Sequence, residues 1–266
     1  MTKRRSYNPE SSELTEKKLR GTPKVFKTKF SDEKKSKVIN IEPKTLNQSK
    51  YLELLKTKQL VFAVGSSGAG KTYIACLHAV NEYLKGSTEK IILIRPYEFV
   101  GRSIGLRPGT GIEKLTPTMQ SMLEPIRNAL GEGEFEYALE HEKIILESLE
   151  DCRGRSYKNA TIVIDECSNT DIKSMQTLVT RLDEGSQMIM CGDSAPWQQD
   201  IKGTSGLNWV LGTLAELRKS KPTYLDEEDY DNLYNNIGIV NFTREDVVRS
   251  GLTRMFVKVF DEVKLV

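Results

Sequence analysis

Short apolar runs alternate with amphipathic stretches from Tyr51 onward. The runs are rich in β-branched residues and almost free of polar side chains, which is typical of strands covered on both faces of a parallel sheet. They are QLVFAV (59–64), IILIRP (91–96), TIVIDE (161–166), QMIMCG (187–192) and IGIVNF (237–242). We therefore predict that these five segments form the core strands.

The stretches between these runs have a helical period. In DIKSMQTLVTRL the apolar residues recur at spacings of three, four and three, which places them on one face of a helix. They are Ile172, Met175, Val179 and Leu182. Asn169 or Thr170 is the expected N-cap. Strands that alternate with helices predict an α/β fold, in which a mostly parallel sheet is flanked by helices through right-handed crossovers.

The first 44 residues differ from the rest in charge and in apolar content. Residues 1–48 hold 13 Lys/Arg and 6 Asp/Glu, a net charge of +7, which leaves −5 for the remainder of a chain whose formal total is +2. So few large apolar side chains cannot offset the entropy of ordering, so we expect a disordered basic arm over 1–44 and one domain over 45–266. The arm is either a tether for nucleic acid or a solubilising tail.

The composition narrows the class of protein. No apolar region follows the basic start MTKRRSYNPESS, so we expect no signal peptide, and no apolar run approaches the roughly 20 residues of a membrane span. With only His78 and His141, a zinc site is not expected. The cysteines show no CxxC spacing, which predicts free thiols in a reducing compartment. They are Cys76, Cys152, Cys167 and Cys191.

GSSGAGKT, directly after the first apolar run, matches the phosphate-loop pattern GxxxxGK[ST]. Glycines let the backbone wrap a phosphate, and the following helix offers its positive end to the same group. In this pattern Lys71 reaches the β and γ oxygens of a nucleotide, and the Thr72 hydroxyl ligates Mg²⁺. The candidate nucleotide-binding residues are Gly65, Ser66, Ser67, Gly68, Ala69, Gly70, Lys71 and Thr72.

TIVIDE supplies the carboxylates that a phosphate loop needs. Asp165, after four apolar residues, is predicted to hold Mg²⁺ through water. Glu166 is then placed to orient or deprotonate the attacking water. The alternative is that the acidic pair caps the next helix. IILIRP, between the two motifs in sequence, suggests the ATPase branch with an additional strand, in which a catalytic glutamate is usual.

Taken together, the motifs resemble the PhoH-like ATPases, which are related to the first RecA-type domain of superfamily 1 helicases. The resemblance runs from about Pro43 to Phe260, and short stand-alone versions like this chain are frequent in bacteriophage genomes. It implies a single RecA-like P-loop NTPase domain. The segments that carry it are PKTLNQSKY, GSSGAGKTYIA, IRPYEFVGRSIGLRPG, CRGRSYKNATIVIDECSNT, LVTRL, GSQMIMCGD, SGL and DVVRS.

The resemblance also assigns roles outside the two nucleotide motifs. Gln48 matches a glutamine thought to read adenine, and the alternative is an exposed glutamine at a helix start. CGDSAPWQQD resembles the helicase GDxxQ motif, in which Asp193 lies near the metal and a glutamine senses the γ-phosphate. This sequence departs from that motif at Pro196, so either Gln198 or Gln199 performs the sensing, with Gln199 preferred, or neither does.

Several arginines suit either a phosphoryl transition state or a nucleic-acid backbone, and surface ion pairs are the alternative for each. Arg249 in DVVRS is the candidate arginine finger, acting across a subunit interface. The others are Arg153, Arg155 and Arg181.

The resemblance implies Mg²⁺-dependent ATP hydrolysis in the cytoplasm, or in the host cytoplasm if the protein is phage-encoded. One function is a helicase-like motor on single-stranded nucleic acid, with RNA favoured over DNA. A single domain needs a second wall for its ATP, so a homo-oligomeric ring, most simply a hexamer, is expected. The alternative is an ATP-gated assembly or regulatory module that acts on a partner protein. A small-molecule kinase ranks third.

Overall fold

The computed structural model describes residues 38–96, 115–149, 151–193 and 204–248, together with 251, 252, 255, 256 and 259. The strands are β1 Leu60–Gly65, β2 Lys90–Arg95, β3 Ile144–Ser148, β4 Ala160–Ile164, β5 Gln187–Gly192 and β6 Ile237–Phe242. The main helices are α1 Leu46–Thr57, α2 Lys71–Lys85, α3 Gln120–Leu130, α4 Glu132–Glu140, α5 Ile172–Val179, α6 Gly206–Lys219 and α7 Glu227–Asn236. Within these ranges, no helix combines the length and apolar character needed to span a membrane.

The strands form one sheet in the order β3-β2-β4-β5-β1-β6, and every neighbouring pair is parallel. The predicted α/β fold with helices on a parallel sheet is confirmed, as are the five predicted strands. β3 was not predicted. It is an edge strand interrupted by the charged Glu147 and preceded by a polar segment, so it lacks the continuous apolar run of the central strands.

The strands that lie between the two nucleotide motifs differ in sequence and in space. In space β5 lies between β1 and β4, whereas β2 pairs with β4 on its far side. IILIRP thus lies between the motifs in sequence, as predicted, while β5 is the strand inserted between them in the sheet. Order along a chain does not fix order across a sheet, because each right-handed crossover can skip a position.

Two apolar cores cover the two faces of the sheet, which explains why the central strands are apolar throughout. In β1, Val61 and Ala63 point into one core, while Phe62 and Val64 point into the other. Helices α1 to α4 supply the first core and α5 and α6 the second. Successive side chains of a strand point to opposite faces of the sheet. A strand covered on both faces must therefore be apolar at odd and even positions alike.

The N-cap of α5 is Asp171, and the prediction of Asn169 or Thr170 was wrong. The Asp171 carboxylate accepts a hydrogen bond of 2.8 Å from the backbone N–H of Ser174, and that bond is the main cause of its lowered pKa. Asn169 instead ends a short 3₁₀ helix, and the Thr170 hydroxyl donates to the Cys167 carbonyl at 2.7 Å. The 3₁₀ turn moves the start of α5 onward, and sequence periodicity does not reveal it.

Residues 38–44 contact the domain although they lie in the segment predicted to be an arm. The Ile39 backbone N–H donates to the Asn81 side chain at 2.7 Å, and the Asn81 amide donates to the Ile39 carbonyl at 2.9 Å. Residues 1–37, which hold most of the predicted basic arm, lie outside the described residues. The disorder of that arm stays a prediction.

All four cysteines are buried and free. Burial is the main cause of the raised pKa of Cys191, to about 12, and of Cys152, to about 11. A thiol is reactive as the thiolate, so these side chains act as small apolar core residues.

The segment after β6 is tied back to the domain through Asp246. Its carboxylate accepts hydrogen bonds from the Thr243 backbone N–H and from the Asn47 side chain of α1, both at 2.8 Å. Two residues later the Val248 N–H donates to the Gly68 carbonyl at 3.2 Å. Burial alone would raise the pKa of Asp246, but the bonds from Thr243, Thr45 and Asn47 outweigh it, so the pKa is lowered.

We predict that Asp246→Ala destabilises the protein by about 1–2 kcal/mol at neutral pH, because it leaves the Thr243 and Asn47 donors without their acceptor. Denaturant unfolding measures the loss. A carboxylate whose pKa is lowered on folding adds stability above its unfolded pKa and loses it as the pH falls through the folded value. The wild-type advantage should therefore shrink below about pH 4. Asp231→Ala, at an exposed position of α7, is the control; an equal loss there would contradict the assignment.

Candidate active site

Because all strands are parallel, their carboxyl ends meet at one edge of the sheet, where a cleft of about 600 Å³ opens. The phosphate loop follows β1, Asp165 follows β4 and Asp193 follows β5. Gly68, Lys71 and both carboxylates line the cleft. The sheet topology thus gathers groups that are far apart in sequence.

The loop conformation explains its glycines. Gly65, Gly68 and Gly70 have positive φ angles of 123°, 81° and 83°, which residues with a Cβ rarely adopt. A Cβ on Gly65 would lie 1.9 Å from the carbonyl oxygen of Phe242 in β6. The loop therefore passes directly against a neighbouring strand, and glycine is required at its first position.

Lys71 and the start of α2 provide the positive side of the cleft. The Lys71 ammonium donates to the Gly65 carbonyl at 2.6 Å and to the Ser66 carbonyl at 2.9 Å, which folds it back over the loop. Gly70 caps α2 without a side-chain hydrogen bond, and the first turn holds no acidic residue. This helix end is suited to an anionic ligand.

Thr72 and Asp165 meet at the foot of the loop. The Thr72 hydroxyl donates to Asp165 Oδ1 at 2.6 Å, and the Ser121 hydroxyl donates to Asp165 Oδ2 at 3.2 Å. Asp165 is buried at 6% exposure. A hydroxyl beside a carboxylate fits Mg²⁺, which takes a few protein oxygens and completes its shell with water and phosphate. Across the described ranges, no group of three or more His, Cys, Asp or Glu side chains could hold a metal by itself.

Glu166 follows Asp165 in a strained backbone conformation. Its φ of 54° and ψ of 35° lie in the left-handed region, which is uncommon for a residue with a side chain. Such strain is found most often at functional sites. Its side chain is 38% exposed and lines the cleft. The turn ends the course of β4 and is followed by the short 3₁₀ helix Cys167–Asn169.

Arg95, the last residue of β2, was not among the predicted site residues. Its guanidinium lies 3.7 Å from Asp165 Oδ2 and 3.7 Å from Glu166 Oε1. Ser121 was missed as well, although it bonds Asp165. Arg95 lies in IRPYEFVGRSIGLRPG, one of the segments that carry the resemblance, but no role was assigned to it; the pairing of β2 with β4 is what places it beside Asp165.

The sequence profile described as PhoH-like protein matches residues 40–231, which is more than half of the chain. The chain belongs to the PhoH-like family. It is 31% identical over 239 residues to a PhoH-like protein of Bacillus subtilis, covering 89% of this chain and 70% of that one. Protein PhoH of Escherichia coli is 31% identical over 207 residues, which cover 77% and 54% of the two chains.

A PhoH-like protein of Mycobacterium tuberculosis H37Rv is 32% identical over 222 residues, which cover 83% of this chain and 58% of that one. The chain thus spans little more than half the length of two of these three relatives. Among solved structures, the Sulfolobus solfataricus SWI2/SNF2 ATPase core in complex with dsDNA aligns at 15% identity and a TM-score of 0.42, over 79% of this chain and 46% of that one. That likeness is too loose to carry an inference. The family and the loop together make this chain a P-loop NTPase.

Gln48 of this PhoH-like chain connects α1 to the phosphate loop. It is buried at 3% exposure, where its amide nitrogen donates to the Ala69 carbonyl at 3.0 Å and its amide oxygen accepts from the Lys44 N–H at 2.6 Å. The alternative of an exposed glutamine is therefore wrong. Both ends of the amide already bond to the backbone, so an adenine would have to replace one of these partners. The adenine contact stays a prediction.

The remaining predicted site residues are distributed unevenly. Asp193 is buried at the end of β5 and lines the cleft, and its backbone N–H donates to the Ser168 hydroxyl at 3.4 Å. Gln198, Gln199 and Arg249 lie outside the described residues, so their roles stay predictions.

Two of the other arginines hold the protein together. Arg155 forms an ion pair of 2.6 Å with Glu147, a buried residue of β3 that also accepts a hydrogen bond from the Tyr157 hydroxyl. Arg181 donates to the Arg155 carbonyl at 2.9 Å and to the Thr177 carbonyl at 3.2 Å. The ion-pair alternative thus describes Arg155, and Arg181 braces the segment before β4.

We predict that Gly65→Ala destabilises the protein by at least about 3 kcal/mol, because the strained φ and the contact with Phe242 both oppose a Cβ. Gly212→Ala is the matched control. It lies inside α6, where a Cβ meets nothing within 4 Å, so it should raise stability by up to about 1 kcal/mol. Denaturant unfolding measures both. Equal stabilities would contradict the close approach of the loop to β6.

Proposed function

We propose that this PhoH-like chain hydrolyses ATP with the help of Mg²⁺. The observation that carries the proposal is the 2.6 Å hydrogen bond between Thr72 and Asp165, because it joins the phosphate loop to the strand that bears the carboxylates. A glycine-rich turn that only connected β1 to α2 would not need a contact with Asp165. Lys71 and Glu166 lie on the same cleft, so binding groups and a candidate base are together.

Each residue has a role in this proposal that its position supports. Loop N–H groups and the start of α2 bind the β and γ phosphates, and Lys71 exchanges its two carbonyl acceptors for phosphate oxygens. Thr72 and Asp165 hold the metal. Bound Mg²⁺ offsets the charge of the phosphates.

Glu166 is the proposed general base. It orients a water molecule in line with the γ-phosphorus and accepts its proton as the new P–O bond forms and the bond to the β-phosphate oxygen breaks. The products are ADP and inorganic phosphate. The exposed carboxylate of Glu166 suits this role better than the buried Asp165, which is already bonded to Thr72 and Ser121.

We predict that Lys71→Ala abolishes ATP turnover and weakens nucleotide binding, whereas Glu166→Gln binds ATP but turns it over about 10²–10⁴ times more slowly. Phosphate release measures turnover, and a fluorescent ATP analogue measures binding. Lys85→Ala, at the exposed end of α2, is the control for loss of a lysine. Near-normal hydrolysis by Lys71→Ala would overturn the site, and less than a threefold loss in Glu166→Gln would give the base role to another group.

We further propose that hydrolysis is coupled to single-stranded nucleic acid, RNA in preference to DNA, within a homo-oligomeric ring. The net charge of +7 over residues 1–48 supports an anionic partner. Four large apolar side chains near the C-terminus, 50–61% exposed and spaced as one helical face, support association between copies. They are Leu252, Met255, Phe256 and Val259. The same apolar face also favours the alternative, an ATP-gated assembly module.

We predict that RNA and single-stranded DNA raise the ATPase rate, and that removal of residues 1–37 lowers nucleic-acid affinity and flattens its salt dependence, since each phosphate contact releases counterions. The rate is measured with and without each nucleic acid, alongside native mass with ATP or ADP. A hexameric mass would support the ring. No stimulation, combined with an assembly that follows the nucleotide, would favour the regulatory module instead.

A further inference from the structure

The guanidinium of Arg95 lies between the two carboxylates of the site. Nη1 is 3.7 Å from Asp165 Oδ2, and Nη2 is 3.7 Å from Glu166 Oε1. The Arg95 side chain is only 19% exposed, and it lines the same cleft as Lys71. A planar fork with one nitrogen toward each acid is a geometry that arginine can provide and lysine cannot.

The same guanidinium is fixed from the other side by the segment that begins α3. Nη1 donates to the Thr118 carbonyl at 2.8 Å and to the Ser121 hydroxyl at 3.3 Å, and Ser121 in turn donates to Asp165 Oδ2. Arg95 therefore joins the ends of β2 and β4 to the start of α3. Because contacts from three separate elements set its orientation, the guanidinium can hold the neighbouring carboxylates in fixed positions.

The Glu166 carboxylate needs a contact that fixes its orientation. Its side chain is 38% exposed, so packing alone does not fix its carboxylate, and its left-handed backbone sets only the direction in which the side chain leaves the chain. A base that activates water must be held close to its productive position, and a misplacement of about 1 Å can cost about 10²-fold in rate. The ion pair with Arg95 contacts this carboxylate directly and links it to a side chain whose own orientation is fixed.

We propose that Arg95 is a positioning residue for hydrolysis, which orients the Glu166 carboxylate and ties that orientation to the start of α3 through Thr118 and Ser121. The inference rests on the proposed function, since it acts through the base of that reaction. Arg95 does not contact the phosphates in this role. It should therefore affect the rate of the chemical step and leave nucleotide binding unchanged.

The experiment compares Arg95→Gln and Arg95→Lys with wild type in steady-state ATP hydrolysis. Arg95→Gln should lower kcat by about ten- to a hundredfold with the KM for ATP within about twofold, because orientation is lost and binding is not. Arg95→Lys keeps the charge but lacks the planar guanidinium, so its kcat should lie between those of wild type and Arg95→Gln. Arg127→Gln, which breaks an ion pair with Glu132 at the other end of α3, is the control and should keep the wild-type kcat.

A double variant decides whether Arg95 acts through Glu166. In single-turnover assays, Arg95→Gln/Glu166→Gln should be no slower than Glu166→Gln alone, within about twofold, since a residue that only positions the base has no effect once the base is gone. A further tenfold loss would show that Arg95 acts elsewhere and would overturn the proposal. An unchanged kcat in Arg95→Gln, or a raised KM with normal kcat, would overturn it too.

A crystal structure of Arg95→Gln without nucleotide supplies a readout apart from activity. The Glu166 carboxylate should occupy more than one position there, with the fold and Thr72–Asp165 contact retained; a single wild-type position would contradict the proposal. Thermal melting and binding of a fluorescent nucleotide identify a variant that has simply unfolded. A wild type that binds but never hydrolyses ATP would refute the proposed function, whereas normal turnover in Arg95→Gln would refute the positioning role alone.

Discussion

The hydrogen bond from Thr72 to Asp165 is the contact on which the candidate site depends. The two residues are 93 positions apart and follow β1 and β4, which β5 separates in the sheet, yet their oxygens lie 2.6 Å from each other. A parallel sheet makes this possible, because each strand ends at the same edge and the following residues turn into one cleft. The apolar cores on both faces fix the strands, and so fix the distance between loop and carboxylate.

The close approach of the loop to β6 is the second constraint. Gly65 lies against the Phe242 carbonyl, and Val248 bonds the Gly68 carbonyl from the segment that follows the same strand. Gln48 reaches the Ala69 carbonyl from α1. The loop is therefore held from two sides by residues that do not belong to its motif. A phosphate loop needs such support, since its donors must point inward before a ligand arrives.

The sequence predicted what is encoded locally. Apolar runs identified the buried strands, and the loop pattern with TIVIDE pointed to Lys71, Thr72 and Asp165, which the structure brings together in one cleft. It did not predict β3, whose polar flanks hide an edge strand, or the place of β5 between β1 and β4. Arg95 and Ser121 were missed for the same reason. Their relation to Asp165 exists only after the sheet order brings β2 beside β4, and no spacing along the chain encodes that order.

The charges of the cleft explain why these contacts belong together. Asp165, Glu166 and Asp193 face a site proposed to take a polyanion, so their negative charge opposes binding unless it is offset. Lys71 and the start of α2 offset it on the phosphate side, whereas Arg95 acts, in the role proposed for it, by orienting the carboxylate of Glu166. Thr72 and Asp165 would hold a metal that supplies further positive charge to the cleft, and the proposed ATP binding is accordingly expected to depend on Mg²⁺.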